Sequence, residues 1–162
     1  MNIIIESTLK TLEKTKSLLN NIDDTTLSDN TVGPYYSSIG SHVRHILDFY
    51  DCIFKIDSDN RIDLTARNRQ LNVESRCDCA QDYLNDILTK LTSFQYQSEK
   101  IVFILDDLGM GKTEIPYTLG SLFSQANSHT IHHYAIISYI LSGLNINLKD
   151  VSFGYNPTTP VK

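Results

Sequence analysis

Residues 119–142 read LGSLFSQANSHTIHHYAIISYILS. Leu122, Ala126, His129, His133, Ile136 and Ile140 recur in steps of four and three. That period keeps one side of an α-helix facing inward. Gly143 follows as a suitable helix stop. The stretch therefore predicts a long amphipathic helix with two imidazoles one turn apart in its inward stripe, and His132 on the shoulder. Neutral imidazoles at successive core positions are costly unless their nitrogens have partners.

Upstream, residues 100–107 (KIVFILDD) are β-branched and aromatic, Gly109-Met110-Gly111 breaks the run, and residues 112–118 (KTEIPYT) resume it. This predicts a small β-hairpin, with Pro116 at an end or edge. Gly111-Lys112-Thr113 imitates the end of a phosphate-binding loop. The first glycine of that pattern would have to stand where Asp106 does, and the segment that follows is strand-like rather than helical. Nucleotide binding is not expected.

Three further helices are predicted. One covers residues 2–22, with Ile5, Leu9, Leu12, Leu19 and Ile22 at helical spacing. One opens at a Ser37 or Ser38 cap and runs to about Ile56. One follows a Ser75 cap over residues 76–97, with Ala80, Leu84, Ile87, Leu88 and Leu91 on its apolar face. Asp57 to Glu74 is polar without a clean period and reads as a long crossover; Gly33-Pro34 is a loop and residues 145–162 an irregular tail. The expectation is one all-α domain over residues 1–162: a four-helix bundle with a long crossover after the second helix and a small β-hairpin before the fourth.

Composition narrows the function. A net charge of −5 without like-charge blocks argues against general nucleic-acid binding. No apolar run approaches the roughly 20 residues of a membrane span. The opening MNIIIESTLK lacks a basic region before its apolar residues and reads as a helix start rather than a signal peptide. Cys52, Cys77 and Cys79 are too few and odd in number for a disulfide scaffold, which points to a reducing cytoplasm. Cys77-Asp78-Cys79 has no second cysteine pair and reads as ordinary reduced thiols.

All five histidines fall in two clusters: His42 and His45 on the second helix, His129, His132 and His133 on the fourth. A His pair at i, i+4 with a third imidazole from a facing helix can hold a metal on three sides. A hydrogen-bonded polar layer is the alternative. The metalloprotease pattern needs Glu directly after the first His, and Thr130 stands there. On the second helix Ile39, Val43, Ile46, Tyr50 and Ile53 set the apolar face. Periodicity favours His42 as its inward imidazole, with His45 near the edge.

The run Ser38-Ile39-Gly40-Ser41-His42-Val43-Arg44-His45-Ile46-Leu47-Asp48 resembles the second-helix pattern of the DinB-like family, which includes the YfiT-type metal-dependent enzymes. Asn127-Ser128-His129-Thr130-Ile131-His132-His133 resembles the family's last helix. Arg67-Asn68-Arg69 and the tail from Phe153 to Thr159 resemble segments of a subgroup, although Ser128 stands where that subgroup tends to carry Glu. The resemblance implies a metal triad of His45, His129 and His133, a homodimer, and thiol S-transferase or hydrolase chemistry on a small molecule. It leaves the ion open among divalent Zn, Ni, Fe and Mn.

Three neutral ligands would leave a divalent ion its full charge and an open position, able to activate a water or a thiolate. His42, His132 or Asp48 would assist proton transfer. Asp48, one turn from His45, could orient that ring. Arg44 or Arg67 could orient an anionic substrate. The other function class is a non-catalytic binding or stress-response module, with the histidines forming a structural metal clip or polar layer.

Overall fold

The computed structural model describes residues 2–160. Its elements in chain order are α1 (Ile3–Leu19), α2 (Asp24–Ser28), α3 (Ile39–Phe54), β1 (Arg61–Asp63), α4 (Leu71–Ser75), α5 (Cys77–Ser93), β2 (Ile101–Asp107), β3 (Lys112–Thr118) and α6 (Leu119–Gly143). α1 packs on α5 and α6, and α3 packs on the same two helices. The apolar stripe of α3 fills the space between them: Ile39, Val43, Leu47, Tyr50 and Ile53 are fully buried. Two tyrosine hydroxyls reach polar partners in this core. The Tyr134 hydroxyl donates to the Thr11 carbonyl at 2.8 Å and lies 2.6 Å from the Thr15 hydroxyl. The Tyr50 hydroxyl lies 3.2 Å from that of Thr130.

The all-α four-helix expectation is corrected. The protein is mixed α/β: the described residues form six helices, about 53% of the chain, and a three-stranded sheet. The hairpin does not stand alone. Within the crossover, β1 pairs parallel with β2, Ile62 opposite Ile104, and β2 pairs antiparallel with β3. The reason is burial. A lone hairpin is marginal in water, whereas three strands present an apolar face. Ile62, Val102 and Ile104 are buried on that face, as is Leu64 just beyond β1. The hairpin turn carries Gly109 at φ 92° and Gly111 at φ 96°. The Asp107 carboxylate accepts from both of their amides, at 2.8 and 3.2 Å, so the phosphate-loop imitation is the loop of a β-hairpin. Thr118 ends β3 and caps α6, its hydroxyl accepting from the Ser121 amide at 3.0 Å. The sheet thus leads directly into the helix that carries three of the histidines.

Helix bounds shift in instructive ways. Ser38 caps α3 as expected, accepting from the Ser41 amide at 3.0 Å. Ser75 does not cap the next long helix. It closes α4, and α5 starts after Arg76, which makes no side-chain cap. α4 lies across the first turn of α3 at Gly40: a Cβ there would sit 2.6–2.7 Å from the Glu74 backbone carbons. Among the described residues no helix is long and apolar enough to cross a membrane.

Candidate metal centre

The second turn of α3 faces the middle of α6. There His45, His129 and His133 come together, each half-buried, and each offers one ligand atom within 4.8 Å of the others. The Nε2 atoms converge: His45 to His129 is 2.9 Å and His129 to His133 is 3.1 Å. Phe49, one turn along α3, stacks on the His129 ring with centroids 5.2 Å apart. The outer nitrogens of the other two rings are held. His45 Nδ1 accepts from Arg67 Nη1 at 2.9 Å. His133 Nδ1 meets His42 Nδ1 at 2.8 Å, and His42 Nε2 meets the Ser37 hydroxyl at 2.7 Å. A ligand imidazole is commonly held by donating its outer N–H to an acceptor; the His133–His42 contact can run that way, whereas Arg67, a donor only, cannot receive an N–H from His45.

Electrostatics keep the rings neutral. Burial, then the Arg67 charge and the neighbouring imidazoles, push His45 down to about 3. Burial, then the other imidazoles, push His133 to about 2. His42 and His129 are lowered by burial and then by His132. At neutral pH these rings therefore carry lone pairs.

The residues fit a divalent ion. Two nitrogens bound to one ion at about 2.0–2.1 Å lie about 2.9 Å apart at a right angle and about 3.4 Å apart at the tetrahedral angle. The observed 2.9 and 3.1 Å fall inside that interval. Among the described residues the metal-competent group is this triad.

The α6 stripe read from sequence is rotated slightly. The deepest line of α6 runs through Phe123, Ala126, Thr130, Tyr134 and Ile137, and His129 and His133 sit on its shoulder. The shoulder position leaves the triad reachable from outside. Both α3 histidines take part, so the choice between His42 and His45 dissolves: His45 points its Nε2 into the group and His42 holds His133 from behind. His132 is exposed, its ring centroid 5.4 Å from that of His133.

Asp48 does not orient His45. It is fully buried, accepting from Arg44 Nη1 at 2.6 Å, the Tyr83 hydroxyl at 3.0 Å and the Arg69 amide at 3.3 Å. Arg44 is committed to Asp48 and Glu74. Next along the helix, Asp51 accepts from Asn68 Nδ2 at 2.9 Å and pairs with Lys55 and Lys90. Burial alone would raise its carboxyl, but the two lysines outweigh that and hold it below the ordinary range. Asp48 and Asp51 thereby fasten residues 68 and 69 to α3 and present Arg67 to His45. Sequence reasoning missed Phe49 and Tyr83 here and read Ser37 only as a helix cap; the Arg67-Asn68-Arg69 run was visible, but its attachment was not. The three cysteines are free. Burial raises the Cys52 and Cys77 thiols to about 11, which makes them poor nucleophiles.

Compared with known proteins, the chain matches no family model and no curated sequence.

Proposed function

We propose that this protein is a metal-dependent enzyme of the thiol S-transferase or hydrolase type, of the DinB-like kind, acting on a small molecule, with His45, His129 and His133 holding one divalent transition-metal ion. The observation that carries the reading is the convergence of three neutral imidazole nitrogens at 2.9 and 3.1 Å, with the outer nitrogen of His133 held by His42. When bound, the ion supplies Lewis-acid polarisation to a substrate oxygen or thiol. The chain's own groups do the rest. Phe49 packs one face of His129 and limits water there. Ser37 and His42 hold the proton position on His133. Exposed His132 stands at the rim, where it can take or give a proton.

A second reading has its own observation. The imidazoles form an unbroken hydrogen-bonded chain from Ser37 through His42, His133, His129 and His45 to Arg67, which gives every ring nitrogen in it except His129 Nδ1 a partner, as a polar layer without an ion. Elemental analysis of untagged protein reconstituted with Zn, Ni, Fe and Mn separates the two. The enzyme reading expects near one equivalent of metal, lost in His133→Ala. Protein that takes up none of the four ions is the polar layer.

A further inference from the structure

The hydrogen bonds around the triad fix where the protons sit. Arg67 is a donor only, because a guanidinium has no acceptor atom. The Arg67 hydrogen bond at 2.9 Å needs a lone pair on His45 Nδ1, so the His45 proton is on Nε2 and points at His129 Nε2. His129 Nε2 is then an acceptor and its own proton is on Nδ1. His133 Nε2 faces the same acceptor at 3.1 Å and carries its proton there. Its Nδ1 accepts from His42 Nδ1, and His42 Nε2 accepts from Ser37. One assignment satisfies every contact.

A metal needs all three Nε2 lone pairs. His129 offers its own as it stands. His133 can release its proton to Nδ1 without losing a partner, because His42 and Ser37 each donate or accept and the branch reverses direction in place. His45 cannot. Moving its proton to Nδ1 would set an N–H against the Arg67 N–H groups. The two branches are therefore unequal, and the obstruction lies at a single residue.

The geometry points to Arg67 as a positioning residue that holds His45 in the tautomer unable to bind a metal, so that loading the site requires the guanidinium to leave His45 Nδ1. The inference rests on the three-histidine reading. No proton is gained or lost overall: each ring keeps one, those of His45, His133 and His42 change nitrogen, and the Ser37 hydroxyl turns from donor to acceptor. Arg67 is free to leave. Its other bond is from Nε to the Leu64 carbonyl at 3.2 Å, and among the described residues it makes no carboxylate ion pair. Arg44, by contrast, is tied to two carboxylates. Once released, Arg67 would stand beside the ion with unfilled donors, suited to one oxygen-bearing anionic group of a substrate.

The test uses zinc ion alone and needs no substrate. Zinc affinity is measured by competition with a chromophoric chelator for the parent and for Arg67→Met, which keeps the apolar stem and removes the donors. Removing a hydrogen bond from a charged donor predicts about tenfold or more tighter binding in the variant. Imidazole tautomers are read in parallel by long-range proton–nitrogen NMR on the parent, with His45→Gln assigning the His45 signals. The expected signature is a proton on His45 Nε2 in metal-free protein and on Nδ1 after zinc is added. Equal affinities at one zinc per chain, or a metal-free His45 already protonated on Nδ1, would overturn the Arg67 inference and leave the three-histidine reading standing. No zinc uptake by either protein would overturn both.

Discussion

Replacing Gly40 by alanine tests the packing that holds α3 in place. A Cβ built there lies 2.6 Å from the carbonyl carbon of Glu74 and 2.7 Å from its Cα, with the carbonyl oxygen nearer still. Non-bonded carbons rest at about 3.5–4.0 Å, so the α4 backbone would have to retreat by about 1 Å. No flexible side-chain end can yield instead. α4 is also held where it is, by buried Val73 in the core and by Glu74 on Arg44. Overpacking commonly costs about 1–3 kcal/mol; against backbone the upper end applies, about 3 kcal/mol. In a chain of this size each kcal/mol moves the melting temperature by about 2–4 °C. Gly40→Ala should therefore melt about 6–12 °C below the parent by scanning calorimetry. Gly109→Ala is the internal comparison: nothing lies within 4 Å of a Cβ there, and only the positive φ of 92° is strained, worth about 1–2 kcal/mol. A Gly40→Ala protein that melts within 2 °C of the parent, or above Gly109→Ala, would show that α4 is not seated on α3 as described.

Two further outcomes follow from the buried polar groups. The metal-free protein should lose stability on mild acidification. The unfolded chain's imidazoles titrate near 6.5, while folded His45 and His133 are pushed to about 3 and about 2. The unfolded state then binds more protons throughout that interval, so stability falls as pH drops below 6.5. The slope is at most about 1.4 kcal/mol per pH unit per ring, less for half-buried groups. Urea unfolding of chelator-treated protein between pH 7 and 5 measures it, and a flat profile would contradict the burial of the cluster. Asp48→Ala should lower stability by about 3 kcal/mol, because the Tyr83 hydroxyl loses its acceptor and Arg44 one of its two carboxylates. A chemical denaturation midpoint unchanged in that variant would show that the crossover is fastened by other contacts.

The sequence made the long helices and the hairpin legible because each is a local pattern. α1, α3 and α6 show steps of three and four over several turns, and β2 stands out as a β-branched and aromatic run that Gly109-Met110-Gly111 cuts off. The mixed sheet was not legible, since its third strand is three residues long and pairs parallel across some forty positions of chain. The alternation Arg61-Ile62-Asp63-Leu64 was the only trace, too short to be distinguished from loop. Ser75 illustrates a different failure. It is an acceptable cap by residue type, but α4 already occupied it, so α5 opened two residues later without one.

At the site, local spacing found what one helix can place and failed wherever two segments meet. His129 and His133 sit on one helix at i, i+4, and their proximity follows from helical geometry alone. Asp48 is three residues from His45, and spacing put the two together, yet proximity on a helix face does not decide which partner a carboxylate takes. Burial decided it: a fully buried carboxylate needs a cation and further donors, and Arg44, Tyr83 and the Arg69 amide supply them. The partner of His45 came from 22 residues away, on a segment with no period to read. The same two carboxylates that periodicity could only place on α3 are what bring that segment, and Arg67 with it, to the edge of the triad. Control of the site thus resides in the crossover rather than in the helices that carry the histidines. Substitutions at Asn68 or Asp51, neither of which touches an imidazole, should alter zinc affinity in the direction of Arg67→Met while leaving one zinc per chain. Asn68→Ala, which removes the amide at 2.9 Å from Asp51 and the acceptor of Lys55 at 3.2 Å but leaves the Asp51 carboxylate with its lysines, is the milder of the two, and unchanged zinc affinity in both would place the control elsewhere.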